Sequence, residues 1–351
     1  MAEKPVQPKA SSLSSGSAAP SAKTARKPRQ ASGLGPLYRK ELSDHLNSTR
    51  FLLIFGLLAL VCIAGLYGAL DSLRTAASSA SSKSSTSYSA QEYVFLNLFT
   101  TSGSSIPSLA SFLAFLGPLG GILLGFDAVN RERSHGTLNR LVSQPIYRDS
   151  VISGKFLAGF AVVSLTVFSI GFLVVGAGIF STGLLPGGEE IERIVAFLLL
   201  TCFYIAFWLA LAIFFSVVCR HTATSALACI AIWIFLSFFM GMLASGISGA
   251  LYPTSGANAA ANTLSNYKLT LVLNRISPYY LFSEAVSTIL NPNVRAIGIV
   301  TQSQLSGAVA GYLTFGQSLL LVWPHLVCMV ALTLICFGIG YICFMRQEIR
   351  A

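Results

Sequence analysis

An all-α integral membrane domain of six spans is the fold class that this 351-residue sequence predicts, and three observations predict it. Charged residues are only 10% of the chain and hydrophobic residues 54%, with a mean hydropathy of +0.69; an ordinary soluble domain is about 25% charged. Six stretches, 51–70, 106–126, 156–180, 194–218, 222–248 and 318–343, contain no Asp, Glu, Lys or Arg. Each can cross the hydrocarbon core, which takes a helix of about 20 residues. Threaded through six spans, 17 of the 23 Lys and Arg fall on one side and six on the other. The positive-inside rule then places both termini in the cytoplasm of a multi-pass protein of the cell membrane. A soluble enzyme is excluded, because 23 basic and 13 acidic side chains cannot cover a globule of this size.

The elements follow in chain order. Residues 1–35 are rich in Ala, Ser and Pro and carry six basic residues against Glu3 alone. They read as a disordered basic cytoplasmic tail with weak attraction to anionic lipid headgroups, and without the apolar run of a cleavable signal peptide. Residues 36–50 start at Pro36 and set Tyr38, Leu42 and Leu46 on one stripe, flanked by Leu37 and His45, with Arg39, Lys40, Asp44 and Asn47 on the other faces. That pattern is an amphipathic helix lying on the inner leaflet, either a plain anchor or an element with a further role. The transmembrane domain occupies 51–345, and 346–351 is a cytoplasmic end.

Between spans one and two, residues 71–105 contain twelve serines and read as a low-complexity spacer. The outer stretch 249–317 contains a short helix from Pro278 to Asn291-Pro292, with Tyr280, Leu281, Ala285 and Ile289 on one stripe. It is placed against the outer membrane surface or the bundle, and the depth of 296–317 stays open. The seven cysteines lie in or beside the apolar stretches without metal-ligand spacing and read as small hydrophobes.

The segment joining spans two and three is the most informative. From Phe126 to Pro145 it interleaves Asp127, Arg131, Glu132, Arg133 and Arg140 with Leu138, Leu141 and Val142, and Gly136 breaks it. A plain basic loop satisfies the topology rule without such a mixture, so a docking surface for a cytoplasmic partner explains it better. Glu132-Arg133-Ser134-His135-Gly136-Thr137-Leu138, then Leu141, Ser143-Gln144-Pro145 and Gly154-Lys155-Phe156, resembles the E-R-x-x-G-T-L…L-x-S-x-P…G-K-x segment of ABC-2 type transporter permeases. Tyr38-Arg39-Lys40-Glu41-Leu42 to Arg50-Phe51 is similar to that family's K-E-[LF] helix, and Ser277-Pro278 to Leu290-Asn291-Pro292 to its external segment. The resemblance covers about residues 36–351.

The resemblance implies a coupling helix between spans two and three that sits in a groove of an ATP-binding subunit, with Glu132, Arg133, Gly136, Thr137 and Leu138 belonging to it. It implies a permease dimer, of this chain with itself or a homologue, in an exporter. The chain itself has no G-x-x-x-x-G-K-[ST] phosphate loop, and the cluster Gly117 to Gly125 sits in an apolar span, where it serves close helix packing. It is therefore not expected to be an enzyme: no cofactor is bound here, and ATP and Mg belong to the partner. Lipid is a further partner and nucleic acid is not. No cluster of Met, His or Cys points to the copper-related branch of the family.

Three other readings compete with this one. A secondary transporter needs ionisable groups at membrane depth, where this chain offers almost none; Asp127, Lys155 and Arg193 are assigned to span ends, and His325 to the outer end of the last span. Gly246-Ile247-Ser248-Gly249 matches the G-x-S-G motif of rhomboid-like intramembrane proteases, which requires Ser248 and His325 in hydrogen-bond contact. An ATP-coupled envelope scaffold that moves no substrate would carry the same coupling segment.

Overall fold

The structure is a computed structural model that describes residues 33–81, 93–102, 106–134, 136, 147–255, 259–293 and 313–347. All regular structure among these residues is helical. A leading helix α1 (Leu34–Leu46) precedes the first span α2 (Thr49–Ser81). A short helix α3 (Val94–Thr100) follows, then α4 (Leu109–Gly125), which runs through a turn into α5 (Asn130–Ser134). Two long helices come next, α6 (Arg148–Thr182) and α7 (Gly188–Val218). The fifth span is α8 (Thr222–Ile234), a π turn (Phe235–Phe239) and α9 (Met240–Leu251). Then come α10 (Ala259–Asn274), α11 (Pro278–Leu290) and the last span α12 (Phe315–Arg346). Six of these units are long and apolar enough to cross a membrane.

The spans overrun the uncharged stretches. Helix α6 begins at Arg148 and α7 at Gly188, so Lys155 and Arg193 lie inside helices rather than at their ends. Both are buried, and a buried cation persists only where it is paired. Each is paired, as described below.

Helix α7 is the axis of the bundle. Its span is 78% buried, against 11% for the fifth span and 17% for the sixth, and Phe197, Tyr204 and Trp208 are wholly enclosed. Helix α4 meets it along Gly117, Gly121 and Gly125, one stripe of a helix whose small residues let two backbones approach. A Cβ at Gly121 would stand 2.7 Å from the carbonyl oxygen of Ile205, and one at Gly125 would stand 2.8 Å from the Ala212 Cβ.

Pro118 sits within α4 and removes the N–H that would bond the carbonyl of Ala114 four residues earlier. The buried Tyr204 hydroxyl of α7 donates to that carbonyl at 2.8 Å, so the helix continues through the proline. Tyr204→Phe should therefore leave a buried carbonyl unsatisfied and cost about 1–3 kcal/mol. The check is the unfolding free energy in mixed micelles, and an unchanged value would show that the bond contributes nothing.

One sequence expectation changes here. The serine-rich stretch is not all spacer: Phe95, Leu96, Leu98 and Phe99 of α3 are fully buried, and Phe95 N–H donates to Glu190 Oε1 at 3.0 Å. Residues 82–92 and 103–105 of that stretch, like the tail 1–32, lie outside the described residues. The leading helix, in turn, presents Leu37 and Glu41 to the bundle, both buried, with Leu37 against Gly154 of α6. The neighbouring stripe is more open: Tyr38 and Leu42 are half-buried and Leu46 is exposed.

The outer stretch folds back into the bundle. Helix α10 packs along α9, and after the intervening turn α11 packs on α7 and α12, with Phe282 stacked on Tyr204 at 4.3 Å between ring centroids. In that turn, Ser277 donates its hydroxyl to Leu236 O at 2.7 Å. Leu236 belongs to the π turn, where the helical ladder is disturbed. It lies roughly 20 Å along the fifth span from Leu251 at 1.5 Å per residue. The hairpin of α10 and α11 thus reaches the middle of the span.

Candidate functional site

At the end of the bundle that carries α1, four other elements converge on the short helix α5. Its first N–H groups have no partner within the helix. The hydroxyl of Ser216, buried near the end of α7, accepts from Val129 N at 2.9 Å and Asn130 N at 3.2 Å. One turn on, Glu132 Oε1 lies 2.8 Å from Lys155 Nζ of α6, and the same ammonium lies 3.0 Å from Glu41 Oε1 of α1. Arg133 donates through Nη2 to Gln347 Oε1, just past α12, and Gln347 Nε2 donates back to Val217 O of α7 at 2.8 Å. Helix α5 is therefore bound to α6, α7 and the residue after α12, and through Lys155 to α1.

The electrostatics of this knot are lopsided. The Lys155 side chain is only 5% exposed, and those of Glu41 and Glu132 are 10% and 14% exposed. One ammonium thus serves two carboxylates, with Lys40 at the rim 3.9 Å from Glu41. Charge-assisted hydrogen bonds of this length are the strong kind, and they compensate the cost of taking the ions out of water. Nearby on α1, burial holds the His45 imidazole below its ordinary value, against the opposing pull of Glu41. Asn130 is buried with neither amide atom hydrogen-bonded.

Of the residues expected to form a coupling helix, Glu132 and Arg133 lie in this knot with their side chains turned to the bundle. Gly136 takes φ +69°, and among the described residues no atom lies within 4 Å of where a Cβ would stand. Thr137 and Leu138, with His135 and 139–146, lie outside the described residues. The hub Lys155 and its partner Glu41 were legible only as motif letters, G-K and K-E; nothing in their spacing pairs them. Ser216 and Gln347 carry no sequence signal.

The structure does not bring Ser248 and His325 together. Ser248 donates its hydroxyl to Ala244 O at 2.6 Å, while His325 Nε2 lies 2.9 Å from Glu284 Oε2. At that opposite end, fully buried Arg193 is held by Glu189 Oε1 at 2.8 Å and itself ties down Ile289 O at 2.8 Å, Leu313 O at 2.6 Å and Ser318 Oγ at 3.2 Å. Among the described residues no group of three or more His, Cys, Asp or Glu is placed to hold a metal ion.

Comparison with known proteins agrees with this architecture. The probable ABC transporter permease protein NosY of Stutzerimonas stutzeri is 34% identical over 131 residues, 37% of this chain and 39% of that protein. The protein of the same name from Pseudomonas aeruginosa is 37% identical over 67 residues, 19% of this chain and 24% of that protein. The chain thus aligns with less than half the length of these curated relatives. Residues 36–349 match the family described as ABC-2 family transporter protein. That match runs from the leading helix past the last of six apolar helices, and the chain is a multi-pass membrane protein that belongs to the ABC-2 family of transporters.

Proposed function

We propose that this chain is the permease subunit of an ATP-driven exporter, and that a separate ATP-binding subunit, carrying ATP and Mg, docks at α5 on the cytoplasmic side of the cell membrane. The observation that carries this reading is the knot around α5. A push on that one short helix is transmitted to α1, α6, α7 and α12 through buried hydrogen bonds, a rigid-body way to tilt spans and alternate access. The unpartnered amide of Asn130 lowers the cost of a shift, because α5 gives up no bond there by moving. A second permease copy, or a homologue, covers the outward face of α8 and α9. That apolar face is barely buried within the described part of the chain, where a Cβ at Gly246 or Gly249 would meet no described atom within 4 Å. Lipid covers the exposed leucines of α2, and α1 lies at the inner leaflet.

Gly136→Trp tests the docking surface. The new ring meets none of the described residues, so the spans should keep their stability apart from about 1–2 kcal/mol for a left-handed non-glycine residue. The bulky side chain should block the partner, so that a tagged variant purified from native membranes loses the ATP-binding subunit that accompanies the wild-type chain. A variant that retains both the subunit and transport-coupled ATP hydrolysis would remove α5 from the docking site.

A further inference from the structure

A crevice opens between α2, α4, α6 and α7, and counted out to its mouth it encloses about 400 Å³. The half-buried Phe51, Ile54 and Gly120 stand toward the mouth, and Leu113, Val167 and Ile170, each 1–2% exposed, form the floor. Among the described residues its one polar side chain is Thr166, whose hydroxyl already donates to Val162 O at 2.8 Å within α6. Such a space offers water no partner and takes apolar matter. Its glycines differ in what they serve. A Cβ at Gly117 would stand 3.1 Å from Ile205 of α7, so helix packing requires a glycine there. A Cβ at Gly120 would meet, among the described residues, Ile54 Cγ2 alone at 3.7 Å, so packing does not require the room left beside it.

We propose that this crevice is a binding site for one acyl chain of a bilayer phospholipid, whose far end packs between α2 and the pair of α4 and α6. The mouth is continuous with a surface that lipid already covers: Leu52, Leu53, Leu57 and Leu60 of α2 are 54–69% exposed. On α4 the lining runs from Leu113 to Leu124, roughly 16 Å at 1.5 Å per residue. That is about the depth of one leaflet of a hydrocarbon core about 30 Å thick, so a chain can enter along the direction it already has in the bilayer. No charged side chain lines the crevice among the described residues, so the site reads the chain and not the headgroup.

The attraction is one of packing. A chain that moves from lipid into the crevice leaves one apolar medium for another, so expulsion of water contributes nothing. An unfilled crevice leaves its wall atoms without neighbours on one side, and the chain end restores those dispersion contacts. The first span has the most to gain, because only 28% of it is buried within the described chain. The bound chain completes the packing of α2 on α4 and α6. The site depends on the six-helix fold and the bilayer, not on ATP-driven export.

The test places the full chain in vesicles of phosphatidylcholine doped with phosphatidylcholine that carries a diazirine at the end of one acyl chain. Irradiation and peptide mapping should label Leu113, Val167 or Ile170, which lipid outside the crevice does not touch, together with the exposed leucines of α2. Gly120→Leu fills the crevice from a position that packing leaves open, and it should lower labelling of the three floor residues about tenfold, a decade in the binding constant. Labelling of the α2 leucines should persist, which reports that the variant is folded in the bilayer. Ile54→Phe narrows the mouth, should have the same effect, and serves where Gly120→Leu is not recovered. Wild-type labelling confined to the outer face of α2, as when a transported apolar molecule fills the crevice in place of lipid, would overturn the site. Floor labelling at full strength in the folded variants would overturn it as well.

Discussion

Lys155→Met is expected to cost on the order of 3–5 kcal/mol, the usual loss when one member of a buried ionic cluster is removed. Its ammonium is shared by Glu41 at 3.0 Å and Glu132 at 2.8 Å, so the substitution removes the buried cation common to both carboxylates in a place water barely reaches. The bond that ties α1 to α6 through Glu41 is lost with it. The opposite change is mild. Glu132→Gln leaves a one-to-one pair of Lys155 with Glu41 and should cost about 1 kcal/mol. Lys155→Met combined with Glu41→Gln and Glu132→Gln should recover most of the loss, because a neutral knot strands no charge. Unfolding free energies in mixed micelles order the variants; a Lys155→Met protein as stable as the wild type would mean that the knot is not an electrostatic hub.

The second large effect is expected at the contact of α4 with α7. Gly121→Ala adds one methyl carbon, and that carbon would stand 2.7 Å from Ile205 O and 3.1 Å from Leu209 N. These are backbone atoms of the central helix and cannot rotate aside, so the two helices must separate. Overpacking costs about 1–3 kcal/mol where side chains can adjust; here the loss should reach or exceed the top of that range, with little monodisperse protein recovered. Gly120→Ala is the matched control. Among the described residues its new methyl would meet Ile54 Cγ2 alone, at 3.7 Å, an ordinary contact, and should be neutral or slightly stabilising. Equal recovery and melting temperature for the two alanine variants would show that α4 and α7 do not approach as closely as described.

These two sites differ in how much of them is legible in the chain. The glycine spacing of Gly117, Gly121 and Gly125 is visible as a helix-packing stripe, because periodicity of 3.6 maps directly onto one face. The partner atoms on α7 are not, since nothing marks Ile205 or Leu209 among so many apolar residues. Glu132 and Arg133 are visible as members of a recognisable block, and their direction is not: both turn to the bundle. Glu284 and His325 lie 41 residues apart, and their meeting depends on a hairpin that hydropathy reads as an outer loop.

By itself the sequence determined the six spans and the family. A lipid interior cannot hydrogen-bond backbone, so each crossing must be one uninterrupted apolar helix, and such helices announce themselves within 20 consecutive residues. The amphipathic leading helix and the motif block are local patterns of the same kind. Only the tertiary structure decided which charges neutralise one another. Glu41 and Lys155 are separated by 114 residues, and polar pairing follows three-dimensional proximity with no period to reveal it. The same holds for α3, whose short apolar run is hidden among serines, and for the α10–α11 hairpin. Their burial is worth something only because α7 provides a surface to receive them, and that surface exists only after the long helices have assembled.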